Sequence, residues 1–200
     1  MPLKMFPMKN ENSQILRTKR LLYDALFSLM QEHPFSELTV KDICHRADVS
    51  RAVFYNHYSN KESLLFEMFR RCATVYWIKA TNSISGKTQK RCRTLYTVLC
   101  YELMRFRPFY QLLYQNNYDW LLADLLKLIH NHFFELVSGK TAPIESDYQQ
   151  YFIPYHATAL SALFFHWLNE PNPISPEEMA DIAIRLLRSS NVDAFLMMPK

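Results

Sequence analysis

Apolar residues recur along this chain at intervals of three and four, the spacing that lines one face of an α-helix. The first amphipathic stretch covers residues 13–33, and Pro34 ends it. Two short segments follow at 40–46 and 51–57, and a fourth helix is predicted over 59–81. Later stretches predict five more helices, at about 89–105, 107–116, 118–138, 147–169 and 176–190. The pattern therefore predicts an all-α chain of about nine helices.

Residues that suit helix ends lie at the predicted boundaries. Thr39 is the expected N-cap of the second helix, with Asp42 three residues on as the capping acid. Asp48 occupies the next turn, where a left-handed backbone is common and Asp tolerates it. Ser50 is the expected cap of the third helix, and residues 59–62 fit a capping box for the fourth.

The composition supports a helical fold with a sizeable core. Hydrophobic residues make up 49% of the chain, and its two glycines argue against tightly turned sheets and Gly-rich phosphate loops. The four cysteines form no C-x-x-C pair, which predicts reduced thiols and a cytoplasmic protein. No apolar run reaches about 18 residues, so no membrane span is expected. Residues 1–12 are predicted to be a disordered arm because they lack the apolar core of a signal peptide.

Charge is distributed unevenly around the net value of +4. Residues 1–140 carry 20 Lys and Arg against 12 Asp and Glu, whereas residues 141–200 carry 3 against 7. A basic N-terminal part fits binding to a polyanion. Charge alone fits an ordinary solvated surface equally well.

The most informative segment covers residues 39–65 and reads TVKDICHRADVSRAVFYNHYSNKESLL. Two short helices joined by a tight turn bury little surface, so the helix at 13–33 is needed to complete a three-helix unit. The second short helix then projects and can enter a DNA major groove. Its inward side is expected to carry Val49, Val53 and Phe54. Its outward side is expected to carry Arg51, Ala52, Tyr55 and Asn56. The alternative is that these are merely solvated polar residues of a small bundle.

This segment resembles the DNA-binding domain of the TetR family of regulators. The family-like residues are Thr39-Val40-Lys41-Asp42-Ile43, Val49-Ser50, Phe54-Tyr55-Asn56-His57-Tyr58 and Lys61-Glu62-Ser63-Leu64. The resemblance covers roughly residues 17–66 and departs from the family at Asp48, where glycine is usual. It implies a helix-turn-helix DNA-binding domain at 13–66. A C-terminal antiparallel helical bundle at 67–200 would then sense a ligand and dimerise.

By this resemblance the chain is a homodimeric transcriptional regulator that binds double-stranded operator DNA. Four residues are implied as ligands of backbone phosphates: Thr39, Tyr55, His57 and Lys61. Five are implied at or near base edges: Lys41, Ser50, Arg51, Ala52 and Asn56. Arg51 suits guanine, because a guanidinium can donate to both O6 and N7. Asn56 suits adenine or, because it comes late in its helix, a phosphate.

Residues 89–190 are rich in aromatic side chains and methionine. In the family this region encloses an effector pocket, and helical bundles often contain apolar pockets. No run of charges is available to recognise a polar ligand, so a small apolar or aromatic effector is expected. The predicted pocket residues are Tyr96, Cys100, Met104, Tyr110, Leu113, Phe133, Tyr151 and Tyr155. A solid core without a pocket is the alternative.

The last two long helices are predicted to pair with their copies in a second chain as a four-helix interface. The predicted interface residues are Ala159, Ala162, Leu163, His166, Ile182, Ala183 and Leu186. The alternative is that these stripes pack inside one subunit. The tail resembles a C-terminal subgroup of Firmicute-type regulators that includes coactivators. A repressor released by its effector is therefore expected, and a coactivator that answers to a protein partner is the alternative.

Other chemistry is weakly supported. His130 and His132 lie two residues apart and point to different sides of a helix, so no metal site is predicted. Cys92 and Cys100 lie about two turns apart on one face, and small core residues are favoured over a thiol sensor. The sequence holds no recognisable catalytic Ser/His/Asp set, so neither an enzymatic activity nor a cofactor is predicted.

Overall fold

A computed structural model describes residues 13–83, 88–138 and 146–189 of the 200-residue chain. Within these ranges there is no strand, and the secondary structure comprises nine α-helices and one short 3-10 turn, Phe35–Glu37. The α-helices are α1 (Ser13–Glu32), α2 (Val40–Ala47), α3 (Arg51–Tyr55), α4 (Lys61–Ser83), α5 (Thr88–Arg105), α6 (Arg107–Gln115), α7 (Trp120–Ser138), α8 (Ser146–Asn169) and α9 (Pro176–Ser189). The all-α prediction is confirmed. The arm predicted at 1–12 lies outside the described residues.

The chain divides into two compact units between Val75 and Tyr76, within α4. The division lies C-terminal to the domain boundary predicted at residue 66. No helix among the described residues is both long and apolar enough to cross a membrane.

The first unit is built on the apolar face of α1. The buried residues of that face are Leu22, Ala25, Leu26, Leu29 and Met30. Ile15 shares their periodicity but is exposed at the start of the helix. Phe35 in the 3-10 turn is buried, which places the connection between α1 and α2 on the same core. Helix α1 packs against α2, and α2 packs against α3.

The first turn of α4 differs from the prediction by one residue. Asn60, not Ser59, precedes the helix, and its Oδ1 accepts the Ser63 backbone N–H at 2.8 Å. The Asn60 N–H in turn donates to the Ser63 hydroxyl oxygen at 3.3 Å. The two residues therefore satisfy each other's amides in the way expected of a capping box, shifted along the chain.

The second unit is a helical bundle in which α7 packs on α8, α5 packs on α9, and α6 packs on α8. Large side chains such as Phe109, Phe164 and Trp167 are fully buried in it. The last turn of α8 and the loop after it are fixed by polar bonds as well as by packing. Trp167 Nε1 donates to the Ile174 carbonyl at 2.9 Å, and Arg107 Nε donates to the Leu168 carbonyl at 2.7 Å. The C-terminal helical bundle predicted by the sequence is confirmed.

Candidate nucleic-acid interface

The turn between α2 and α3 depends on a left-handed residue. Asp48 has φ 54° and ψ 46°, as expected from its position, and its conformation ends α2. The Val49 N–H donates to the Cys44 carbonyl at 3.0 Å, so the end of α2 is hydrogen-bonded. The chain can then change direction sharply and begin α3 at Arg51.

Helix α3 is short and is anchored from one side. The Ser50 hydroxyl oxygen accepts the Val53 N–H at 3.2 Å and caps the helix. Phe54 is fully buried and its ring lies 5.7 Å from that of Tyr58. Val53 is half-buried on the same element. These contacts fix the inward side of α3 and leave the other side to solvent.

The exposed side of α3 carries the residues predicted to meet DNA. Arg51, Ala52 and Asn56 are exposed, and 57% of the Tyr55 side chain is exposed. This side offers a guanidinium, an amide, a phenol and a small apolar group within one and a half helical turns. Such a set can combine base-edge and phosphate contacts. His57 follows the helix, is half-buried, and lies with its ring 6.3 Å from that of Tyr58.

Thr39 acts as the N-cap of α2, as predicted. Its hydroxyl donates to Asp42 Oδ2 at 2.5 Å, and its backbone N–H donates to the same oxygen at 2.9 Å. The hydrogen bonds from the Thr39 side chain and backbone hold the pKa of Asp42 below its usual value. Both donors of Thr39 therefore serve the cap in this structure, and the implied phosphate contact stays a prediction. Lys41, on the next turn, is exposed.

The ammonium group of Lys61 contacts backbone carbonyls of its own chain. Its Nζ lies 2.8 Å from the Phe35 carbonyl oxygen, 3.1 Å from that of Ser36 and 2.7 Å from that of Leu38. An ammonium has three N–H donors, and three acceptors already occupy them. Lys61 therefore contacts its own chain in this structure, and the implied phosphate contact stays a prediction.

A polar network between α1 and α4 lies behind the interface, and no sequence motif predicts it. The Tyr23 hydroxyl donates to Glu67 Oε1 at 2.8 Å and accepts from Tyr58 OH at 3.2 Å and Arg71 Nε at 2.8 Å. Lys19 Nζ donates to the same Glu67 oxygen at 3.2 Å. Burial raises the pKa of Tyr23 far above its usual value. Burial opposes ionisation of Glu67 too, but hydrogen bonds from Tyr23 and Arg71 bring its pKa below the usual value.

The predicted effector residues divide into separate environments in the second unit. Four are buried, namely Tyr96, Cys100, Tyr110 and Leu113, and Met104 is half-buried. Tyr151 and Tyr155 differ from the prediction because 73% and 65% of their surfaces are exposed on α8. Aromatic character indicated burial, but the α8 backbone turns both rings outward. The side chain of Phe133 lies outside the described residues.

The predicted interface residues also divide. Ala159, Ala162, His166 and Leu186 are exposed, whereas Leu163 and Ile182 are half-buried. Ala183 is 0% exposed, so it belongs to the interior of the subunit and not to an outward stripe. Helix α9 packs against α5, so part of its surface is turned to the interior of the subunit. Among the described residues, no three His, Cys, Asp or Glu side chains are grouped as metal ligands.

Comparison with known proteins agrees with this architecture. Residues 22–68 match the family model described as "Bacterial regulatory proteins, tetR family". Residues 93–189 match a model described as "Transcriptional regulator C-terminal region". A crystal structure of Lin0861 from Listeria innocua has a TM-score of 0.70 and 15% identity, covering 94% of this chain and 98% of that one.

Two relatives match over the N-terminal part. The uncharacterized HTH-type transcriptional regulator YxbF of Bacillus subtilis is 35% identical over 69 residues, which are 34% of this chain and 18% of YxbF. The HTH-type dhaKLM operon transcriptional activator DhaS of Lactococcus lactis is 35% identical over 52 residues, which are 26% of this chain and 28% of DhaS. The matches thus span less than a third of either relative. Since the two family models together cover most of the chain on a fold of the expected kind, this protein belongs to the TetR family of DNA-binding transcriptional regulators.

Proposed function

We propose that the protein binds a near-palindromic operator as a homodimer, with α3 of each copy in a major groove. The observation that carries this proposal is the exposed side of α3, held by a buried Phe54 and by the Asp48 turn. Arg51 would donate to a guanine, and Tyr55 and Asn56 would fix the helix on the backbone or on a neighbouring base. Lys41 and Ser50 would lie at the edges of the same contact surface.

Selection of duplexes from a random library by the purified protein would test this proposal. Arg51→Ala is expected to weaken binding to the selected duplex by about 1–3 kcal/mol and to relax the base preference at one position per half-site. Arg93→Ala is the matched control, because it removes the same charge from α5, where Arg93 pairs with Asp181. Unchanged affinity and selectivity for Arg51→Ala, measured at about 0.15 M salt, would contradict the assignment.

The dimer would form along the outward side of α8. Ala159 and Ala162 are small and exposed there, and Tyr155 extends the apolar surface along the helix. Ala162 also lines a groove of about 510 Å³ together with Trp120, which gives a partner side chain room to insert. Small side chains allow close approach of two helices, and the exposed rings supply apolar area to bury.

Light scattering of Ala162→Arg tests this interface. The long Arg side chain would prevent the close approach of two helices at this position, so the variant is expected to be a folded monomer. Thr74→Arg, at an exposed position on α4, is the control and is expected to remain dimeric. A folded and dimeric Ala162→Arg would move the interface elsewhere.

We further propose that the protein represses its target and leaves DNA when a small apolar or aromatic effector binds in the second unit. The support is the buried set around Tyr96, Cys100, Tyr110 and Leu113. The Tyr96 hydroxyl bonded to His130 Nε2 at 3.0 Å provides one polar group in that core. A thermal-shift screen of apolar compounds, followed by operator-release assays, tests the effector. A tenfold release requires a difference in affinity of about 1.4 kcal/mol between the two forms of the protein.

Activation is the second candidate, because the matched relative DhaS is named a transcriptional activator. A reporter placed behind the selected operator distinguishes the two functions. Loss of reporter signal on expression of the protein supports repression, and a gain supports activation.

A further inference from the structure

We propose that Lys61 is a positioning residue for DNA binding, which seats the start of α4 on the connection between α1 and α2. The seat consists of the carbonyl oxygens of Phe35, Ser36 and Leu38. The consequence for operator affinity rests on the proposed DNA contacts of α3. The seat itself lies within the first unit and can be measured without DNA.

The contact has the geometry of a tripod. Lys61 Nζ lies 2.7–3.1 Å from the three carbonyl oxygens, and it also lies 4.8 Å from the centre of the Phe35 ring. The donors of an ammonium point in three directions, which suits three acceptors arranged around one point. The flat fork of a guanidinium does not reproduce that arrangement.

The carbonyls of this connection need such a partner. The 3-10 turn contains three residues, so few of its carbonyls can be satisfied by the helix itself. The Phe35 carbonyl accepts the Leu38 N–H at 3.2 Å, which is a long bond at the end of the turn. A cation at the carbonyl end of a helical turn is favourable because the partial charges there are negative.

The seat controls the position of the reading helices because it adjoins the start of α2. Leu38, the last residue of the seat, immediately precedes Thr39, the N-cap of α2. Phe35 and Leu38 are both buried, so the connection is held by their packing in the core and by the bonds from the Lys61 ammonium. Helix α3 packs on α2 through the Asp48 turn. Displacement of the seat therefore displaces α2 and, with it, the exposed side of α3.

Two substitutions separate positioning from a phosphate contact. Lys61→Met removes the charge, whereas Lys61→Arg keeps it but changes the shape of the donor. A positioning role predicts that both variants lose about tenfold or more in affinity for the selected duplex. A phosphate contact predicts that Lys61→Arg binds as the wild type does, since arginine binds phosphate at least as well as lysine.

Salt dependence gives a second comparison. If Lys61 bound a phosphate in each copy of the dimer, removal of both ligands would lower the slope of log affinity against log salt by about 1.8. Under the positioning role, the slope measured for Lys61→Met stays at the wild-type value although the affinity has fallen.

Hydrogen exchange of the free protein tests the seat directly. Both Lys61 variants are expected to speed exchange of the amides at residues 37–40, by about tenfold. Lys41→Met is the matched control: it removes a nearby exposed charge and should leave these amides unchanged. Wild-type exchange in both Lys61 variants, together with full binding by Lys61→Arg, would overturn the proposal. If the wild type binds no duplex, the operator function fails, and exchange in Lys61→Arg still decides the seat.

Discussion

Removal of one hydroxyl group is expected to weaken the junction between α1 and α4. Tyr23→Phe keeps the buried ring and deletes an oxygen that makes three hydrogen bonds, to Tyr58, Glu67 and Arg71. Since the ring itself stays, loss of apolar burial does not enter the effect. The change therefore measures the polar network alone.

The size of the effect depends on the hydrogen bonds that each partner retains. Glu67 and Arg71 remain bonded to each other, with Arg71 Nη2 at 2.8 Å from Glu67 Oε1, so the ion pair survives. The hydroxyl of Tyr58, a residue that is 4% exposed, loses its bond to Tyr23. A bond to a charged group contributes about 1.5–3 kcal/mol, and a stranded buried hydroxyl costs about 1–3 kcal/mol. Because these contributions overlap, we expect a net loss of about 2–3 kcal/mol.

Urea unfolding at a fixed protein concentration provides the assay, with Tyr58→Phe as the matched control. Tyr58→Phe removes one neutral bond and strands no hydroxyl, because Tyr23 keeps Glu67 and Arg71. It should therefore cost only about 0.5–1.5 kcal/mol. The double variant leaves no buried hydroxyl without a partner. Its loss in free energy of unfolding should therefore be about 1 kcal/mol smaller than the sum of the losses of the two single variants.

Two results would refute this reasoning. A Tyr23→Phe cost below about 0.5 kcal/mol would mean that solvent replaces the hydroxyl without penalty. If the loss in free energy of unfolding of the double variant equals the sum of the two single losses, Tyr23 and Tyr58 do not share a hydrogen bond in solution.

The remaining predictions concern the turn and the second unit. Asp48→Gly should leave the free energy of unfolding unchanged or slightly higher, whereas Asp48→Ala should lower it by about 1 kcal/mol, because only glycine adopts the φ of 54° freely. Thermal melts of both variants check this, and an unaffected Asp48→Ala would contradict it. Burial lowers the pKa of His130 below the usual value. Folding then opposes protonation of His130. The free energy of unfolding should therefore be at its full value above about pH 6.5 and should fall as the pH drops below that value. His130→Gln should flatten that dependence in melts between about pH 7.5 and 5, and an equally steep fall in the variant would place its origin elsewhere.

Two hydrogen bonds determine which ring nitrogen of neutral His130 carries the proton. Nδ1 lies 2.7 Å from the Leu126 carbonyl oxygen, which can only accept, so Nδ1 carries the proton. Nε2 then accepts from the Tyr96 hydroxyl at 3.0 Å. A second proton on Nε2 would face that hydroxyl in a buried site and would break the bond as it is arranged.

Local signals were sufficient to predict the fold. Thr39 with Asp42 and Asp48 with Ser50 each act over a few residues, so sequence spacing alone fixes where α2 ends and α3 begins. The exposed side of α3 follows from the same register once Phe54 is assigned inward. Where two candidate caps were adjacent, as at Ser59 and Asn60, spacing could not choose between them, because either side chain can accept an amide.

Contacts between distant segments were not predictable in this way. The acceptors of Lys61 are backbone carbonyls 23–26 residues earlier, and every residue type carries a carbonyl. A lysine in a polar motif therefore looks like a solvated cation or a phosphate ligand. Tyr151 and Tyr155 show the converse problem. Aromatic rings predict apolar contact, but the pattern of α8 does not tell an internal partner from one in a second subunit.

Helix α4 is bonded both to α1 and to the connection between α1 and α2. Lys61, at the first residue of α4, holds the connection before α2, and Glu67 and Arg71, about two to three turns later, hold α1 through Tyr23. The second set is largely buried and charge-assisted, so it is costly to break. Movement of this half of α4 relative to α1 would separate both sets at once. Movement of the first half of α4 would therefore carry α1, α2 and α3 as one body and leave the exposed side of α3 intact.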